Sequence, residues 1–124
     1  MTCEKDIQCG VNTPHTEKVE DMSDLEKKHA VLIECPDKVK KGELFEVEIR
    51  VGEYLVHPNK LSHFIEWMEL YQEETFISRI SLTPEKSHYI FKTSLKLEHE
   101  HPLKARVRCN LHGVWEAKKE IEVI

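Results

Sequence analysis

Apolar and polar residues alternate at every second position along much of the chain, the spacing at which successive side chains face opposite sides of a sheet. Phe45, Val47, Ile49 and Val51 alternate with Glu46, Glu48 and Arg50, which predicts a strand with one buried face. Leu103, Ala105, Val107 and Cys109 alternate with Lys104, Arg106, Arg108 and Asn110 in the same way. Trp115, Ala117, Ile121 and Val123 share one parity near the end of the chain, interrupted by Lys119. Weaker strands fit Ala30–Glu34, Phe64–Gln72, Phe76–Leu82 and Tyr89–Leu97. Turn residues punctuate these runs, among them Pro36-Asp37, Lys41-Gly42, His57-Pro58-Asn59, His101-Pro102 and His112-Gly113. No stretch carries a helical stripe longer than a turn or two. About seven short strands over some 100 residues predict an all-β, immunoglobulin-like sandwich of antiparallel strands. Residues 1–24 are polar and aperiodic, so they read as a tail, loosely ordered or draped over a single domain at 25–124.

Composition narrows the function. The chain has 124 residues, a formal charge of −5, 40% apolar and 33% charged residues, as expected of one globular domain with a core of its own. A net acidic chain without a basic cluster argues against a nucleic-acid partner. No run reaches the roughly 18–20 apolar residues that span a bilayer, and the N-terminus lacks the apolar core of a secretory leader. With no secreted disulfide framework in its cysteine spacing, the expected location is the cytoplasm. Cys3 and Cys9 read as untied thiols in the tail, and Cys35 as a buried thiol at a strand end.

Eight histidines beside four cysteines point toward metal. In Cys109-Asn110-Leu111-His112-Gly113-Val114-Trp115, a strand ends at the thiol and a tight turn can return an imidazole beside it. His57 and His63 flank Pro58-Asn59-Lys60-Leu61-Ser62, and His29 follows Lys27-Lys28. Together His29, His57, His63, Cys109 and His112 make a five-donor set. Structural zinc closes on four donors, so five favour a redox-active transition metal with one open face for a small ligand. A cupredoxin-like copper electron carrier without enzymatic activity is the rival reading. Such sites add a weak axial methionine after the Cys-x-x-His loop, whereas Met1, Met22 and Met68 all precede Cys109. His15, His88, His99 and His101 read as surface residues, and Trp67 and Trp115 as core.

Cys-Asn-Leu-His-Gly-x-Trp at 109–115, with His-Pro-Asn and Ser-His-Phe-Ile-Glu-Trp between 57 and 67, resembles superoxide reductase. The nearest type is the one-iron neelaredoxin form, similar to the C-terminal domain of desulfoferrodoxin. The resemblance runs from about Glu26 to the C-terminus. It implies an immunoglobulin-like sandwich holding one mononuclear iron, with His29, His57, His63 and His112 equatorial and Cys109 axial. The second, four-cysteine iron centre of desulfoferrodoxin has no counterpart here. The implied reaction is one-electron reduction of superoxide to hydrogen peroxide, with rubredoxin or another small carrier as donor and a homotetramer among the possible assemblies. Lys28 matches the family lysine and is the expected catalytic residue. Lys27 stands where the family carries the glutamate that caps the oxidised iron. Lys27, Lys28 and Lys60 are expected to draw the anion inward against the net charge, and the backbone of Asn110 and Leu111 to tune the sulfur.

Overall fold

The structure is a computed structural model that describes residues 6–124. The two segments with clean alternation form seven-residue strands, because a pleated segment with apolar residues on one side can bury that side whole. In chain order the strands are β1 (Val11–Asn12), β2 (Val31–Glu34), β3 (Lys38–Val39), β4 (Phe45–Val51), β5 (Ile65–Gln72), β6 (Thr75–Ser81), β7 (Ile90–Leu95), β8 (Leu103–Cys109), β9 (Gly113–Lys119) and β10 (Glu122–Val123). Two layers form the sandwich: a five-stranded sheet in the order β1-β9-β8-β5-β6 and a three-stranded sheet in the order β2-β4-β7. A two-stranded ribbon, β10-β3, lies beside them. The long pairings are antiparallel, whereas the two-residue pairs β1–β9 and β10–β3 are parallel.

Between the layers lies one core. Val47 and Ile49 from β4 meet Ile65, Met68 and Leu70 from β5 and Leu103, Ala105, Val107 and Cys109 from β8, all fully buried. Side chains of this size contribute about 1.5–3 kcal/mol each when removed from water. The same alternation that fills this core runs out at Cys109, so the thiol is fixed as the last rung of a locked strand, opposite Ile65 and Gly113.

Two expectations are corrected here. A short α-helix, α1 (Asp24–His29), stands at what read as the entry to a strand, and a 3-10 turn at Val19–Asp21 precedes it. The helix forms because Ser23 caps it reciprocally: the Glu26 N–H donates to Ser23 Oγ (3.2 Å) and the Ser23 N–H to Glu26 Oε1 (2.9 Å). Six residues are too few to display a stripe, and β-branched residues take over directly afterwards. The other correction concerns the tail. Cys9 is disulfide-bonded rather than untied, and β1 joins the edge of the five-stranded sheet. Cys3 lies outside the described residues, and Cys35 is a half-buried free thiol.

Candidate metal centre

Different kinds of element deliver the candidate donors to one end of the sandwich. His29 is the last residue of α1 and is fully buried. His57 and His63 sit on the connection between β4 and β5, the first buried and the second half-buried. Cys109 ends β8 and His112 occupies the turn into β9. That turn is tight because Gly113 takes φ 78°, a left-handed conformation that suits glycine.

The four imidazoles close into a ring. Successive ring centroids lie 4.7 Å (His29–His57), 4.8 Å (His57–His63), 5.1 Å (His63–His112) and 5.0 Å (His112–His29) apart. One donor atom from each of His29, His57, His63 and Cys109 falls within 4.8 Å of the others. His112 stands outside that tightest group but completes the ring, with Nδ1 3.6 Å from Cys109 Sγ. The sequence-chosen five are therefore together in space. His15, His88, His99 and His101 are exposed and take no part in this cluster.

Hydrogen bonds fix how the rings face. His29 Nδ1 lies 2.7 Å from the Leu25 carbonyl and His57 Nδ1 2.7 Å from the Pro58 carbonyl. A carbonyl only accepts, so both Nδ1 atoms carry the proton and both Nε2 atoms present lone pairs. Those two Nε2 atoms face each other at 3.2 Å. Burial pushes both imidazoles down from 6.5 to about 4, with the neighbouring histidines adding to the effect, so neither ring is protonated at neutral pH to bridge the gap. Two buried acceptors aimed at one another call for a cation between them. His63 Nε2 makes the same case, being buried with no hydrogen-bond partner, and burial also lowers that ring's pKa. The donor set fits a transition metal: imidazole nitrogens held by outer carbonyls, plus a thiol.

Burial pushes the Cys109 thiol up, while the N–H groups of Leu111 and His112 pull it the other way. A bound metal would deprotonate it outright. The backbone expectation holds for Leu111 but not for Asn110, whose N–H donates to the Phe64 carbonyl at 3.2 Å. Asn110 works through its side chain instead: Oδ1 accepts from the Phe64 N–H (2.9 Å) and Nδ2 donates to the Ser62 carbonyl (3.0 Å). It thereby ties the Cys109 loop to the His63 loop.

Two aromatic residues support the cage from outside the donor set. Tyr89 donates its hydroxyl to the Pro58 carbonyl (2.7 Å), accepts from the Ile65 N–H (3.2 Å) and sets its ring edge-on to His57. Trp115, buried as expected, stacks on His29 at 5.1 Å and donates Nε1–H to the His112 carbonyl at 3.0 Å. The Trp in the 109–115 motif was a signal for this second contact; for Tyr89 the sequence offers none.

Charge around the cage is local. Lys28 is near enough to depress both His29 and His63, and Lys60 acts on His63. The Glu26 carboxylate is engaged elsewhere, accepting from the Ser23 N–H and from the His15 N–H and Nδ1. Burial alone would raise its pKa, but these bonds outweigh burial and hold it at about 2.

The family profile described as Desulfoferrodoxin matches residues 21–118. The putative superoxide reductase of Methanocaldococcus jannaschii is 41% identical over 117 residues, covering 91% of this chain and 94% of that protein. The superoxide reductase of Pyrococcus horikoshii is 34% identical, covering 77% and 89%. Among solved structures, a variant of the superoxide reductase (neelaredoxin) of Ignicoccus hospitalis superposes with a TM-score of 0.78 at 36% identity, over 92% of this chain and 94% of that one. The putative superoxide reductase of Thermotoga maritima gives 0.74 at 26% identity, over 88% and 99%.

Proposed function

The chain belongs to the desulfoferrodoxin family, and from that premise we propose that His29, His57, His63, His112 and Cys109 hold a single iron ion at which superoxide is reduced to hydrogen peroxide. It is an oxidoreductase of the superoxide reductase kind. The observation that carries the metal assignment is the 3.2 Å approach of two buried, unprotonated Nε2 atoms.

When bound, ferrous iron supplies the one electron that each superoxide requires. The protein's own residues do the rest. The Leu25 and Pro58 carbonyls hold His29 and His57 in the tautomer that leaves Nε2 free, so no rotation or proton loss is needed before a cation binds. Cys109 supplies the electron-rich donor, its strength moderated by the Leu111 and His112 amides. Lys28 and Lys60 place positive charge at the rim, which concentrates a small anion there although the chain as a whole is acidic. Lys28 is also the candidate to position a proton donor toward the bound anion. The carboxylate engaged by Ser23 and His15 is not free to cap a bound iron, which would leave the ion accessible to the substrate.

An apolar rim accompanies these charges. Val56, Leu61 and Leu111 are 80%, 73% and 50% exposed on the loops that bear the ligands. Such a rim suits transient docking of a small electron carrier such as rubredoxin. A homotetramer is the assembly proposed by family likeness. No helix among the described residues is long and apolar enough to cross a membrane. The proposed location is the cytoplasm, where Cys35 and Cys109 stay reduced; the disulfide at Cys9 is the exception there.

Metal analysis of tag-free protein, paired with product measurement, tests the reading. One iron per chain, with peroxide formed at the expense of a reductant and no dioxygen released, is the expected outcome. Stoichiometric copper, sub-stoichiometric metal or evolved dioxygen would overturn it.

A further inference from the structure

The segment before residue 21 precedes everything the family profile matches, yet it grips the loop that carries the sulfur ligand. Asn12 Nδ2 donates to two carbonyls at once, Ile7 at 2.8 Å and Val114 at 2.9 Å. Gln8 Nε2 donates to the Asn110 carbonyl at 3.2 Å, and its Oε1 accepts from Arg108 at 3.1 Å. β1 pairs in register with the start of β9, Val11 opposite Val114 and Asn12 opposite Trp115. Ile7 packs against the core. Its carbonyl sits so close to Gly113 that a Cβ there would overlap it, so this glycine serves the tail's approach as well as its own φ. On its inner side the same loop is held by Asn110, through Phe64 and Ser62.

We propose that residues 6–12 are a positioning clamp for the Cys109–Gly113 loop, with Asn12 and Gln8 as its positioning residues. The loop's two faces are thereby gripped by unrelated parts of the chain. What is fixed between them is the direction of the Leu111 and His112 N–H groups, which hydrogen-bond to the Cys109 sulfur. Small changes in such amide contacts alter how strongly a thiolate donates to its metal. The clamp thus sets the electronic character of the centre from outside it. The spectral part of this inference rests on Cys109 being an iron ligand; the mechanical part does not.

The test uses the full-length chain carrying Asn12→Asp and Gln8→Glu together, which keep side-chain size and remove all three amide donations. Hydrogen exchange at Leu111 and His112 is measured in metal-free and iron-loaded protein, and the sulfur-to-iron absorption band and midpoint potential in the loaded form. Exchange at these amides should quicken about tenfold, equivalent to one net hydrogen bond. The band and potential should shift while iron content is retained. Asn12→Ala and Gln8→Ala singly should give partial shifts. Unchanged exchange at Leu111 and His112 in the double variant overturns the clamp. Faster exchange with an unmoved band and potential overturns its electronic role. If the unaltered protein shows no sulfur-to-iron band, the functional reading fails, and the exchange result still decides the clamp.

Discussion

The two sides of the cage are built on opposite principles. Cys109 is the end of a seven-residue strand held between β5 and β9 and fully buried in the core. His57 and His63 sit on an irregular connection, and His29 ends a helix of six residues. The sulfur inherits its position from the packing of the whole sandwich. His29 and His57 inherit theirs from single hydrogen bonds to Leu25 and Pro58 and from ring contacts with Trp115 and Tyr89. The candidate sulfur donor thus sits on a strand paired on both sides and buried in the core. The nitrogen donors are placed where loops and a helix end can converge from distant parts of the chain.

That contrast can be broken from either side. Leu70→Ala, deep in the sandwich and far along β5 from the cage, should cost about 2–5 kcal/mol of stability. Urea unfolding measures the loss, and iron content and the sulfur band should be unchanged in the folded protein. Cys109→Ser should leave the fold intact, since the swap is nearly isosteric, yet abolish the sulfur band and slow superoxide reduction by at least about 100-fold. A variant that kept the band would remove Cys109 from the centre.

Acid should weaken the nitrogen side first. His29 and His57 sit at about 4 in the folded chain against an ordinary 6.5. Between these values the unfolded chain binds more protons, so stability rises with pH across that window and falls as pH drops through it. Metal-free protein should therefore lose urea resistance progressively from about pH 6.5 to about pH 4. His57→Gln should flatten that dependence.

Tyr89→Phe removes the hydroxyl that joins the Pro58 carbonyl to the Ile65 amide. About a tenfold fall in iron affinity is expected, measured by chelator competition, with a smaller effect on overall stability. The least effect belongs to the rim. Lys28→Ala should slow the superoxide encounter about threefold at low ionic strength, converging on the parent rate in high salt. A salt dependence equal to that of the parent protein would exclude Lys28 from steering.

What could be read along the chain and what could not divides at the same boundary. Alternation over Phe45–Val51 and Leu103–Cys109 marked the strands because burial of one face is written into every second residue. Cys109 and His112 were visible as a pair, since three residues and a glycine turn keep them neighbours in any fold. α1 was hidden because its stability comes from the Ser23–Glu26 cap rather than from a stripe. β1, β3 and β10 are two residues each, too short for a period to show. Glu26 illustrates the limit well. Its position in the sequence does not say what its carboxylate engages, and only the tertiary structure shows it accepting from Ser23 and His15.

By itself, then, the sequence determined a β-rich chain with an apolar face on each strand and a set of donors of the right chemical kind, because those properties depend on residue identity and near-neighbour spacing. The tertiary structure decided that four imidazoles separated by as many as 83 positions close into a ring beside one thiol. It also decided that a tail preceding the family-profile match grips their loop. Both outcomes rest on contacts between segments far apart in the chain, whose hydrogen bonds leave no periodic trace in either partner.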